Sequence, residues 1–345
     1  MISLLVVNYR SAALAADAIR TARRAASEPL QIVVVDNSCD EREAESLRPL
    51  SDVLLISGAN RGYAGAINDG RMRCDGDVIV ISNADVKYAA GCIDRLHETL
   101  EGRTAVAGPA LYWDDGSSWI LPPSDLQRGS EVLDKALASR SATWRASRDR
   151  RRIRKRLDFW SLHSPTPVQA ISGAVMAVRA DVFDEIGGFD ERFPLYFEET
   201  DFVRRVQQLR RRVVYVPAAR CRHLYNQSAG EAQPYASASW AVSEQRYLAK
   251  WNGPFAARLL KSFERPLPPV QAVRIDGPIA LKSDRLLVEA SPLASFDTAA
   301  GHFPQAPTID VPAEVWAAYR TRELYLRLID RDSGDVLARY VRYKT

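Results

Sequence analysis

The sequence has no CxxC pair and no cysteine–histidine spacing of a zinc site. Its four cysteines, Cys39, Cys74, Cys92 and Cys221, are scattered. This excludes a disulfide framework or a structural zinc module and makes a reducing compartment the expectation. No apolar run approaches the roughly 20 residues of a membrane-spanning helix. Met1 leads straight into ISLLVVNYR, without the basic start and small-residue cleavage site of a secretory signal, so a cytoplasmic location is expected. A large charge of one sign is also missing. With 47 Lys+Arg against 43 Asp+Glu the formal net charge is +4, too small to imply a nucleic-acid partner. There is no internal repeat and no low-complexity tract.

What is there is an ordinary globular composition over 345 residues, long enough for two domains. The first hundred residues alternate regularly. ISLLVV, QIVVVDN, VLLIS and DVIVISNAD read as strands, the first a continuous apolar run typical of burial on both faces. Between them SAALAADAIRTARRAA, with Ser11 as N-cap, DEREAESLRPL and GYAGAINDGRMRC read as helices. Strands alternating with helices imply right-handed crossovers and a mostly parallel central sheet. In such sheets ligands bind beyond the carboxyl ends of the strands. Polar residues stand at every one of those ends: Asn8 to Arg10, Asp36 to Ser38, Asn60 to Gly62, and Asn83 to Asp85.

From Ala105 the pattern changes. Residues 124–163 read as a helical or mobile basic insertion, in which Arg145 to Arg156 carries eight basic residues against one acid. EETDFVRRVQQLRR is a helix with Phe202, Val206 and Leu209 on one face, opened by acids and closed by arginines as the helix dipole favours. RPLPPV (Arg265 to Val270) reads as a linker. Beyond it, apolar runs and a DSGD hairpin signal predict a small β domain. The expected division is 1–264 and 265–345.

Several stretches in order resemble the family 2 glycosyltransferases, and among them a rhamnosyltransferase-like branch. They are VVNYR, VVDNSCD, NRGYAGAINDG, ISNADV, ISGAVMAVRADVFDEIGGFDERFPLYFEETDF and YVPAARCRHLYNQSAG, spread over roughly residues 1–230. The resemblance implies a GT-A fold, an α/β nucleotide-binding sandwich. It implies an inverting transfer from a nucleotide-sugar, dTDP-rhamnose favoured and a UDP-sugar the alternative. The acceptor implied is a glycan or lipid-linked glycan in bacterial-type polysaccharide or glycoconjugate assembly, and the cofactor Mg²⁺ or Mn²⁺.

Residue by residue, the resemblance assigns Asp36 to the pyrimidine base, with Asn8, Tyr9 and Asn37 beside it. Arg61, Gly62 and Asn68 match the family's nucleotide-side loop, with Gly65 beside them. Asn83, Ala84 and Asp85 stand at its D-x-D position, Asp85 as metal ligand and His223 as a second one. Gly173, Gly187 and Gly188 match the sugar-side loop. Glu199 stands where the family has the aspartate that acts as general base, with Glu198 and Asp201 as alternatives in the same crowded stretch. Close carboxylates raise one another's pKa, which suits a base.

Two other readings accompany this one. A nucleotidyltransferase would need an early Gly-rich basic loop, which VVNYRSAAL lacks. A non-catalytic sugar-nucleotide or glycan-binding protein would be expected to lose the metal or base position. The basic segment 145–156 suggests either a solvated face or peripheral contact with the inner face of a membrane. The oligomeric state is left open.

Overall fold

A computed structural model describes residues 1–193, 195–224 and 233–344, with backbone only at 233–237. The YNQSAG end of the last motif, residues 225–230, lies outside the described residues. In chain order the elements are β1 (Ile2–Asn8), α1 (Ala12–Ala25), β2 (Leu30–Asp36), α2 (Glu41–Leu47), β3 (Val53–Ile56), α3 (Gly62–Arg71), β4 (Val78–Asn83), β5 (Val86–Tyr88), α4 (Cys92–Thr99) and β6 (Thr104–Tyr112). Then come α5 (Gly129–Arg140), α6 (Ala142–Trp160), β7 (Thr166–Pro167), β8 (Val175–Arg179), α7 (Ala180–Ile186), α8 (Glu198–Gln208), β9 (Arg212–His223), α9 (Gln233–Asn252) and α10 (Pro254–Phe263). The last stretch holds β10 (Val273–Arg274), β11 (Ile279–Ala280), β12 (Leu286–Ser291), β13 (Ala300–His302), β14 (Thr308–Ile309), α11 (Ala313–Ala318), β15 (Glu323–Asp330) and β16 (Val336–Tyr343).

The chain divides into two compact units. The first takes 1–111, 124–126 and 163–254; the second takes 112–123, 127–162 and 255 onward. The first is built on a nine-stranded sheet of order β3-β2-β1-β4-β8-β6-β9-β5, with β7 on β9. Strands β3, β2, β1 and β4 are parallel, as the βα alternation predicts. The sheet then turns mixed, because β8 runs antiparallel to both β4 and β6, and β9 antiparallel to both β5 and β7. Every residue of β1 is buried. The alanine-rich face of α1, with Ile19, is buried as well, since small side chains let a helix close on neighbouring structure. Gly70 marks the seating of α3. A Cβ there would fall 2.3 Å from Leu5 Cδ1 and 2.8 Å from Val35 Cγ2, so only glycine fits between helix and sheet.

The second unit holds a five-stranded sheet of order β10-β16-β15-β12-β13 and a small β11-β14 pair, in line with the expected β-rich C-terminal region. The basic segment has a specific place here. Ile153 and Trp160 of α6 join Leu287 and Ile329 of the sheet in one apolar cluster. Arg156 reaches Glu289 at 2.6 Å, and Arg327 reaches Glu289 at 2.7 Å and Asp149 at 2.8 Å. Arg148 and Arg152 meet Asp297 at 3.3 and 3.4 Å. Residues at 148, 152 and 156 share one helical face, and that face turns inward on acids supplied by the C-terminal chain. Charge density in the sequence cannot distinguish this from a solvated stripe. The partners lie more than a hundred residues away.

Candidate functional site

The strand order 3-2-1-4 reverses direction between β1 and β4, which makes the carboxyl ends of β1, β2 and β4 a topological switch point. Asn8 lies opposite Asp36 in the ladder, and Val7 opposite Asn83. Asn8 and Asp36 are fully buried. Asn8 Nδ2 donates to Asp36 Oδ1 at 2.9 Å and to Glu43 Oε2 at 3.1 Å. Glu43 also accepts from Ala12 N at 2.8 Å, satisfying a free N–H at the start of α1. Ser11 gives its hydroxyl to Asn8 Oδ1 instead of capping the helix. The Ser38 N–H also donates to Asp36 Oδ1, at 3.1 Å, and the Ser38 hydroxyl donates to Oδ2 at 3.0 Å. The cap of α2 is Asp40, so Asp36 is not spent on capping. Tyr9 is half-buried, with Arg10 over its ring at 5.6 Å.

Asn37 ties this strand end to the next loop. Its Nδ2 donates to Gly62 O at 3.0 Å. Gly62 has φ +70°, a conformation that favours glycine, where α3 begins. Arg61 is half exposed and meets Glu191 at 3.3 Å and Asp69 at 3.5 Å. A Cβ on Gly65 would lie 3.2 Å from Arg61 Cβ, so that glycine makes room for the arginine. Asn68 reaches the Gly-Gly turn. It donates to Phe189 O and Glu191 Oε1 at 2.9 Å each and accepts from Phe189 N at 2.9 Å. Gly187 and Gly188, at φ +77° and +72°, end α7, and a Cβ on Gly188 would fall 2.4 Å from Asn68 Oδ1. These two glycines therefore shape the turn that Asn68 grips.

The acidic stretch opens α8 directly after two consecutive residues at positive φ, Tyr196 (+69°) and Phe197 (+70°). Such strain in bulky residues persists only where the surroundings enforce it. Here Phe197 is buried with Phe193 and Tyr247. The three acids then diverge. Glu199 is partly exposed and packs on Gly173, where an added Cβ would fall 2.9 Å from Glu199 Cγ and 3.1 Å from its Cβ. Tyr63 donates to Gly173 O at 3.3 Å. Burial, and then the charges of Glu198, Glu199 and Asp85, push the Tyr63 hydroxyl well above its ordinary range. Glu198, Glu199 and Asp85 thus all lie within electrostatic reach of the α3 tyrosine.

Glu198 is buried, and its Oε2 has no hydrogen-bond partner among the described residues. Burial first, and then the charge of Glu199, raise its carboxyl well above the usual range. Burial raises Glu199 too, but the opening N–H groups of α8 and the Thr200 hydroxyl, 3.3 Å away, favour its charged form. Both carboxyls are thus held above their ordinary range, Glu198 without a hydrogen-bonding partner at Oε2 among the described residues to offset burial and Glu199 with several groups that partly offset it. Asp201 faces elsewhere. Its carboxylate is fully buried and taken by Arg205 Nε at 2.8 Å, Lys250 Nζ at 2.7 Å and Trp251 Nε1 at 2.9 Å.

Asn83 ends β4, its N–H donating to Ala174 O at 2.9 Å. Ala84 and Asp85 are buried. His223 closes β9 opposite Val86, which places its Nε2 3.4 Å from Asp85 Oδ1. One hard oxygen and one imidazole nitrogen at this separation fit two adjacent positions around Mg²⁺ or Mn²⁺. Ligands at about 2.1 Å from such an ion stand about 3 Å apart. No third His, Cys, Asp or Glu joins them into a ready cage among the described residues.

Glu43, Tyr63 and Glu191 were not singled out from the sequence. Tyr63 lies inside the NRGYAG motif and carried a signal. Glu43 sits in a short polar helix and carried none.

Polar groups converging at the switch point of a nucleotide-type α/β sheet define a ligand-binding domain of the doubly wound class. The family follows from comparison: residues 3–176 match glycosyl transferase family 2, and the protein belongs to that family, with its GT-A type of α/β fold. The reaction of that family is glycosyl transfer. An N-acetylglucosaminyl-diphospho-decaprenol L-rhamnosyltransferase of Mycobacterium tuberculosis is 29% identical over 224 residues, 60% of this chain and 70% of that protein. The low-salt glycan biosynthesis hexosyltransferase Agl10 of Haloferax volcanii is 25% identical over 213 residues, 60% of this chain and 62% of that one. Among solved structures, the mannosyltransferase PcManGT of Pyrobaculum calidifontis, in complex with GDP-Man and Mn²⁺, aligns at 16% identity with a TM-score of 0.45, covering 76% of this chain and 73% of that one.

Proposed function

We propose that the protein is an inverting glycosyltransferase that moves a sugar from a nucleotide-sugar to a glycan or lipid-linked glycan. The observation that carries this reading is the packing of Glu199 on Gly173, whose carbonyl accepts from Tyr63, a hydroxyl that also feels the charge of Asp85. The named activity of the mycobacterial relative favours a rhamnosyl donor, with dTDP as its nucleotide and UDP the alternative, and a diphosphate-lipid acceptor.

In this mechanism Asp36, oriented by Asn8 and Ser38, receives the imide N–H of the pyrimidine. Asn37 holds the Asn60–Gly62 loop against the nucleotide, and Tyr9 flanks the base. Arg61 exchanges its half-exposed acid partners for phosphate; exposed ion pairs of this kind cost little to break. Asp85 and His223 would hold a Mg²⁺ or Mn²⁺, which would supply charge neutralisation to the departing diphosphate. Glu199 takes the proton of the acceptor hydroxyl. That oxygen then attacks the anomeric carbon from the face opposite the nucleotide as the bond to the diphosphate oxygen breaks. Gly173 and the Gly187–Gly188 turn leave space for the sugar and hold the loop around it. The first unit carries the chemistry in this reading.

The test combines binding and turnover. A melting screen of dTDP- and UDP-sugars with and without Mn²⁺ should find a donor that raises Tm by mass action. Glu199→Gln should keep that shift and lose transfer by about 10²–10⁴-fold, the usual worth of a general base. A screen with no responding nucleotide overturns the transferase reading. A fully active Glu199→Gln removes Glu199 as the base.

A further inference from the structure

Helix α10 buries Ala257 and Leu260 but leaves a large apolar ridge outside. Phe255 is 81% exposed, Leu259 50% and Phe263 39%. Their spacing of four residues lines them along one face. Arg258 and Arg265 stand exposed beside them. Glu264, the acid at this end, is held by Lys261 at 2.8 Å. In the same unit α5 exposes Leu133 and Leu137, again four apart, with Lys135 exposed between them. Arg140 joins the two helices by donating to Phe263 O at 3.0 Å. Single exposed apolar residues are normal on a protein surface, whereas a ridge of this size rimmed by polar groups marks an interaction site.

We propose that the α10 ridge, with the adjoining end of α5, docks on an anionic lipid surface. The charge beside the ridge selects this occupant. Arg258 and Arg265 stand exposed next to the apolar side chains of α10, and the acid at that end, Glu264, is paired with Lys261. Two copies meeting face to face through this patch would bring the same cations together. A bilayer surface accepts both parts. The rings and leucine enter the headgroup–acyl boundary while the arginines extend to lipid phosphates. The basic segment of α6 is the lesser contributor, because Arg148, Arg152 and Arg156 are engaged with Asp297 and Glu289. The inference rests on the second unit alone and does not depend on the identity of the sugar donor.

The experiment is flotation of the full chain with vesicles of phosphatidylcholine alone or mixed with phosphatidylglycerol. Wild type should float with the mixed vesicles and partition about tenfold or more weakly onto phosphatidylcholine alone. Phe255→Glu/Leu259→Glu should abolish flotation while keeping the wild-type melting curve, since both positions are exposed. Arg258→Glu/Arg265→Glu should lose the preference for the anionic vesicles. Failure of wild type to float, or flotation of Phe255→Glu/Leu259→Glu like wild type, overturns the proposal. So does a concentration-dependent dimer, seen by sedimentation without vesicles, that the same double substitution dissociates.

Discussion

Glu199 is positioned by contact with a residue that has no side chain, so Gly173→Ala tests the site without touching a carboxylate. The added methyl would lie 2.9 Å from Glu199 Cγ, 3.1 Å from its Cβ and 3.4 Å from its Cδ. Ordinary carbon contacts begin near 3.5 Å, so the glutamate or the loop must give by about half an ångström. The contact falls on the root of the side chain, where rotation about the outer bonds relieves little. Overpacking of this size costs about 1–3 kcal/mol of stability. A misplacement of up to about 1 Å costs up to about a hundredfold in rate. The expected result is a kcat lower by about 10–100-fold with donor affinity unchanged. Steady-state transfer measures the first and donor-induced melting shifts the second. Gly277→Ala is the control, since nothing lies within 4 Å of its added Cβ. If Gly173→Ala transferred within about twofold of wild type while melting normally, the glycine would not be what fixes Glu199.

Glu198→Gln reads the buried proton. A raised carboxyl favours the folded state below its unfolded pKa of about 4.3, and that contribution is lost as pH rises through the raised folded value. The variant should therefore gain progressively in Tm over wild type as pH rises above about 4.3, and a difference that does not change with pH above that value would refute the assignment. Asp201→Asn separates structure from chemistry. Breaking the contacts to Arg205 and Lys250, both partly exposed, should cost about 2–3 kcal/mol in urea unfolding, and transfer per folded molecule should stay within about threefold. A rate loss comparable to that of Glu199→Gln would return Asp201 to the list of bases.

The parallel half of the sheet was legible because buried parallel strands and their helices repeat a simple local pattern. β1 through β4 follow the apolar runs closely, and the polar strand ends converge as the topology requires. The antiparallel half was less legible, since β8 and β9 enter the sheet from far along the chain. Leu209, read as part of the buried face of α8, is 40% exposed because the helix ends just before it. The segment 145–156 announced a charged helix and nothing about its inward face, because Glu289 and Asp297 are contributed by distant strands and turns.

By itself the sequence determined the family, the switch-point sheet and the crowding of Glu198, Glu199 and Asp201 at one helix start. All of these are written in local order and spacing. It could not say which acid faces the site. A helix turns about 100° per residue, so Glu199 and Asp201 point in nearly opposite directions, and what meets each one comes from elsewhere in the chain. Gly173 and the Tyr63 neighbourhood receive Glu199, while Lys250 and Trp251 neutralise and enclose Asp201. Burial and partner choice, which separate the proposed base from a structural anion, exist only after the chain has folded.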